Sequence, residues 1–175
     1  MLGHLDKALA SGPEAVAIEI DHLAFLTGER SLSVDADGLD EVIAPSRRQG
    51  FVEFTGTLRG SSPGGSRFCL TSHGEGDAPI EIAISSDDAR CLVNERDASG
   101  WIEQRRHDWR REPLDVTIPL QSQLTHKVVQ DILDTGTCGL PSFDESATLH
   151  LALLDALLGH YRRHADREAQ LCPIT

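Results

Sequence analysis

No run of about 18 consecutive apolar residues occurs in this 175-residue chain, so no membrane-spanning helix is predicted. The N-terminal MLGHLDKALA lacks the basic-then-apolar layout of a signal peptide. Basic residues are scarce: 16 Lys and Arg stand against 28 Asp and Glu, a formal net charge of −12. A nucleic-acid backbone or an anionic membrane would be repelled by such a chain, so neither is expected as a partner. The four cysteines, Cys69, Cys91, Cys138 and Cys172, are scattered and form no C-x-x-C. They outline neither a disulfide framework nor a zinc site, and reduced thiols in a cytoplasm are the expected state. There is no Gly-x-Ser-x-Gly, no Walker loop and no Cys/His dyad in a recognisable context, which leaves nucleophilic and phosphoryl-transfer chemistry without support. The only Gly-rich stretches are GSSPGG and HGEGDAP. Both fall between predicted strands, whereas a dinucleotide needs a Gly-rich turn feeding a helix N-terminus. No cofactor and no metal site is therefore expected in this chain alone.

What is present fits one globular domain. An apolar content of 39% and a charged content of 25% are ordinary, and the length suffices for a real core. Residues 1–165 read as a single domain and residues 166–175 as a frayed tail. The first eleven residues are compatible with a helix in which Leu5, Ala8 and Leu9 share a face, stopped by Ser11-Gly12-Pro13. Ala15 to Ile20 is rich in Val and Ile and reads as a strand, and Asp21 to Thr27 as a short helix ended by Gly28. Val52, Phe54 and Leu58 alternate with polar residues along FVEFTGTLRG, the period-2 signature of a half-buried strand. Phe68 with Leu70, and Ile80, Ile82 and Ile84, repeat it. Cys91 to Asn94 and Trp101 to Gln104 complete a meander whose short connections favour antiparallel pairing.

The last third is helical. Leu124, Val128, Val129, Ile132 and Leu133 recur at helical spacing, and Gly136 follows as a stop. Ser142 and Glu145 make an S-x-x-E capping box. Beyond it, Ala147, Leu151, Leu154, Leu158 and Tyr161 are expected to form the buried stripe of a long helix, with Arg162, Arg163 and His164 in its last turn. Helices around a meander give an α+β fold: a large antiparallel or mixed sheet with helices packed on one face. The other face, to which Phe51, Thr55, Thr57, Trp101 and Trp109 are assigned, is expected to serve oligomerisation, with a second copy as partner.

Asp21 and His22 are candidates for a proton-transfer pair, since a carboxylate beside an imidazole tunes it near neutral pH. The structural alternative is an N-cap aspartate followed by a surface histidine. Gln121, Ser122, Thr125 and His126 share the first turn of their helix and offer groups that hydrogen-bond a polyol; capping and solvation is the alternative. His160 and His164 have the i, i+4 spacing of metal ligands but no third ligand in a persuasive position. Arg105, Arg106, Arg110 and Arg111 cluster with Trp101 and Trp109, a composition suited to an interface or to an edge kept soluble.

Several blocks together resemble one family. LDKALASGPEAVAIEI, DHLAFLTGE, PSRRQGFVEFTGTLRG, IPLQSQLTHKVVQDIL and the loop-plus-capped helix to His164 are similar, in order and spacing, to the C-terminal domain of the Gfo/Idh/MocA sugar oxidoreductases. The resemblance implies an α+β domain, a sugar-like ligand near Gln121, Ser122, Thr125 and His126, and NAD(P) bound by a Rossmann domain. This chain holds no such domain, so NAD(P) enters only if a partner or a missing segment supplies one. The family's Glu-Lys-Pro lysine has no counterpart here. Its His-x-x-Asp element falls on Ile18 to Asp21, with Asp21 kept and Ile18 in the histidine slot. The expectation is a substrate and dimerisation domain without independent redox activity. The alternatives are a non-catalytic scaffold and a cofactor-free isomerase or lyase using Asp21 and His22.

Overall fold

The computed structural model describes the backbone of residues 4–9, 13–74, 80–119 and 121–174, and the side chains of those from Ile20 onward except Gln121. Strand β1 (His4–Leu9) is followed by helix α1 (Pro13–Thr27), short strands β2 (Ser33–Asp35), β3 (Ala44–Pro45) and β4 (Val52–Glu53), and then β5 (Gly56–Ser61) and β6 (Arg67–Ser72). A meander of β7 (Glu81–Ser85), β8 (Ala89–Asn94), β9 (Ser99–Gln104) and β10 (Arg111–Asp115) leads to α2 (Gln121–Thr135) and α3 (Phe143–His164). Eight strands form one sheet in the order β10-β9-β8-β7-β1-β6-β5-β2, and β3 pairs with β4 beside it. All pairings are antiparallel except β1 with β6. The mixed α+β sheet is the expected fold.

Two N-terminal expectations are corrected. Residues 4–9 form the central strand, not a helix: β1 is hydrogen-bonded on both sides, to β6 and β7. A six-residue segment with helical local preference takes the strand state when two sheet neighbours satisfy its backbone groups. Conversely, Ala15 to Ile20 is not a strand but the first part of α1. Pro13 opens this helix at the position where its missing N–H is harmless. Gly28, at φ +73°, ends it by donating its N–H to the Ala24 carbonyl at 2.8 Å.

The core lies between the helices and the β5–β6 end of the sheet. Ile20, Leu23 and Ala24 of α1, Leu149, Leu153 and Leu157 of α3, and Phe54, Leu58, Phe68 and Leu70 from the strand side are all buried. Leu58 and Leu70 are register partners, and so are Thr57 and Thr71 one step along. The two hydroxyls of that second pair meet at 3.1 Å on the opposite face of the sheet. The capping box is formed as expected: the Glu145 N–H donates to Ser142 Oγ, and the Ser142 N–H to the Glu145 carboxylate at 2.8 Å. The expected stripe on α3 is displaced, however. Leu149, Leu153, Leu157 and His160 are buried, while Leu151 and Leu154 are exposed.

The tail makes specific contacts with the domain. Pro173 accepts a hydrogen bond from the Val52 N–H at 2.8 Å, Arg162 donates to the Ala169 carbonyl at 2.8 Å, and Cys172 and Ile174 pack against the core. Residues 166–174 thus lie back against the domain. All four cysteines are free thiols, and burial pushes the Cys172 thiol up to about 11.

His160 is the one buried titratable side chain of α3. Its Nε2 lies 3.0 Å from the Asp40 carbonyl and donates to it, which leaves Nδ1 a shielded acceptor without a partner among the described residues. The Phe54 ring meets it edge-on at 5.8 Å and the His164 ring lies at 4.5 Å. Desolvation holds the imidazole below its ordinary value of 6.5, the Asp40 bond opposes that, and the neighbouring His164 and Arg163 charges reinforce it. The unfolded chain then takes up this proton more readily than the folded one. Stability should be fully present above about pH 6.5 and fall as the pH drops through that value. Urea midpoints measured from about pH 7 down to about pH 5 should show this slope, and His160→Leu should flatten it. An unchanged slope in the variant would assign the effect to other groups.

Candidate functional site

A cleft of about 370 Å³ opens between α1, the α2–α3 loop and the start of α3. Asp21, His22, Ala24 and Phe25 line it from α1, Gly139, Leu140 and Pro141 from the loop, and Glu145 and Leu149 from α3, with Arg30 completing the wall. The loop is placed by two local devices. Gly136, at φ +75°, ends α2 by donating to the Ile132 carbonyl at 2.8 Å, and the capping box at Ser142 starts α3. Arg30 Nε donates to Glu145 Oε1 at 3.1 Å, so Arg30 balances the Glu145 charge. Hydrogen bonds from Ser142, backbone first and side chain second, and then from Arg30 hold the Glu145 carboxyl below the usual carboxylate range.

Asp21 sits within α1 rather than at its start, so it is not an N-cap. The imidazole shown bonded to it comes from another helix. Asp21 Oδ2 lies 3.2 Å from Nε2 of His150, which is 129 residues away on α3. The other carboxylate oxygen, Oδ1, is shielded from solvent and has no hydrogen-bond partner among the described residues. His22 lines the same cleft one position along the helix, so both sequence-predicted residues reach it. The polyol-binding candidates do not. Ser122, Thr125 and His126 lie exposed on α2, none of them lines the cleft, and the side chain of Gln121 lies outside the described residues. Sequence reasoning missed His150, Phe25, Arg30 and the 139–141 loop. Only a correct helical phase for α3, with Leu149 inward, would have set His150 beside α1.

The first Gly-rich turn does not fit a dinucleotide. Residues 62–65 close the β5–β6 hairpin. Their amide at Gly64 donates to Glu29 Oε2 at 2.9 Å, and the Ser62 hydroxyl donates to Glu29 Oε1. Those two bonds, the hydroxyl's first, hold the Glu29 carboxyl below its usual range. A turn already occupied by an ionised carboxylate does not cradle a pyrophosphate. Of the other stretch, residues 75–79 lie outside the described residues. Among the described residues no group of three His, Cys, Asp or Glu could hold a metal ion, and no helix is long and apolar enough to cross a membrane.

On the open sheet face, Ala83, Leu92, Trp101 and Pro113 fall in one cross-strand row. Arg111 stacks 4.0 Å over the Trp101 ring while donating to Glu103 at 3.0 Å, and Arg90 lies over Trp109 at 5.1 Å. Phe51, Thr55 and Trp109 are outside the strands, so of the five residues expected on this face only Thr57 and Trp101 are strand positions.

No family model matches the sequence, and no curated protein does. Solved structures do. UDP-N-acetylglucosamine 3-dehydrogenase GnnA from Acidithiobacillus ferrooxidans is 15% identical at a TM-score of 0.59, over 87% of this chain and 51% of that one. A point mutant of KijD10, a 3-ketoreductase from Actinomadura kijaniata, seen with TDP-benzene and NADP, is 16% identical at 0.56, over 90% and 51%. The fold is that of one half of a Gfo/Idh/MocA-type oxidoreductase. The chain spans about half the length of these neighbours, consistent with their C-terminal domain. In that Gfo/Idh/MocA-type fold the cleft, Asp21 and His150 lie on the helical side of the sheet, away from the Trp101 row.

Proposed function

We propose that this chain is the substrate and dimerisation domain of a nicotinamide-dependent sugar oxidoreductase, and that it works with a Rossmann half supplied by a partner or by another segment. One observation carries the reading. Helix α2 is complete and amphipathic, yet Leu124, Val129, Ile132 and Leu133 are exposed and it makes no extensive contact with any other described element. A 15-residue helix is marginal alone in water, so a helix of this kind belongs under a cover. The neighbours of twice the length carry a further half, and NADP accompanies KijD10. Hydride transfer needs such a cofactor, which no side chain replaces. In this reading Gln121, Ser122, Thr125 and His126 face the sugar side of the assembled enzyme. A second copy covers the open sheet face around Trp101, whose Arg111 stack suits an interface anchor.

The purified chain should behave as a homodimer by light scattering and leave NADPH fluorescence unchanged. Adding a Rossmann-only partner protein should give a larger complex that binds NADPH. Tight NADPH binding by the chain alone would overturn the division of labour.

A further inference from the structure

We propose that the Asp21 cleft is an anchor pocket for one arginine side chain of the domain that docks on α1, α2 and α3. The inference rests on the docking reading above and adds the chemistry of the contact. Its polar floor is unbalanced. Glu145 is matched by the Arg30 guanidinium at 3.1 Å, whereas Asp21 meets the His150 imidazole through Oδ2 alone among the described residues. Asp21 Oδ1 is a shielded acceptor with nothing among the described residues to accept from. An unmet buried acceptor is unfavourable, and a donor delivered by an incoming group relieves it after a small rotation of the carboxylate.

The walls select the donor. Phe25, Leu140, Pro141 and Leu149 are apolar, and Phe25 is 78% exposed although it borders the cleft. An alkyl stem packs against such walls, and a planar guanidinium stacks on a phenyl ring while its fork meets a carboxylate. A lysine ammonium would meet the carboxylate as a point charge, without the planar stack on the ring or the bidentate fork. The surroundings agree: Leu26, Phe143 and Leu151 are also exposed on α1 and α3, and the chain carries a net charge of −12. An apolar patch on an acidic protein, with a cleft carboxylate that keeps one oxygen unmet among the described residues, fits a partner that presents an arginine within an apolar surface.

Agmatine, a guanidinium on a four-carbon stem, is the probe. Titrated into the full chain and followed by amide NMR, it should give saturable shifts confined to residues around Asp21, Phe25 and Leu140. Asp21→Asn should weaken it by about tenfold or more. Phe25→Ala, at an exposed position that does not support the fold, should weaken it by about threefold to tenfold. Butylamine should bind more weakly than agmatine. Absence of saturable shifts, or agmatine binding that both variants leave intact, overturns the pocket. If the chain still pairs with a Rossmann half in that event, the docking reading stands without it. If agmatine binds as expected but no Rossmann half pairs, the arginine assignment to that partner falls.

Discussion

Leu153→Ala is expected to lower the free energy of unfolding by about 2–5 kcal/mol, whereas Leu151→Ala, two residues away on the same helix, should change it by less than about 0.5 kcal/mol. Leu153 is 2% exposed and packs in one cluster with Ile20, Leu23, Leu149, Leu157, Leu58 and Phe68. Truncating it removes apolar contact from both helices and the sheet at once, and the sheet cannot move in to fill the gap. Leu151 is 57% exposed, so its side chain has little burial to lose. Urea unfolding followed by circular dichroism would measure both. Equal effects would mean that α3 is rotated about its axis from the orientation described. That rotation would also take His150 away from Asp21, so the same pair of variants tests the floor of the cleft.

This contrast shows where the sequence was legible. Apolar residues occupy α3 nearly all round, at 147, 149, 151, 152, 153, 154, 156, 157 and 158, so periodicity alone left its phase open and the Leu151–Leu154 stripe fitted as well as the true one. The ends of α3 were legible because capping is local: Ser142 and Glu145 act within one turn. The meander was legible for the same reason, since Phe68 with Leu70 and the Ile80-Ile82-Ile84 alternation carry the period of a half-buried strand. The N-terminus was not. Residues 4–9 become a strand through pairing with β6 and β7, segments about 60 and 75 residues away that leave no mark on the local pattern. The site followed that division. Asp21 was found, but its partner His150 comes from the other end of the chain and depends on a helical phase that composition concealed.

Replacing Ile132 and Leu133 together by Asp should abolish pairing with a Rossmann half, weakening it on the order of a hundredfold or more, while leaving the chain's own unfolding transition nearly unchanged. The two residues are 45% and 75% exposed on the outer part of α2, so the domain's own core loses nothing. Two carboxylates placed where a partner's apolar surface must close would have to be desolvated without a counter-ion, which is far more unfavourable than the loss of the two side chains. The sign of the second readout separates the alternatives. If α2 already packs on a second copy of this chain, the substitutions should shift the dimer to monomer by light scattering, and the Trp101 face is then not the dimer contact. If the dimer persists and Rossmann pairing disappears, the two surfaces are separate: one sheet face for self-association and one helical face for the catalytic partner. Such a separation would explain why α2 stays amphipathic although it makes no extensive contact with any other described element.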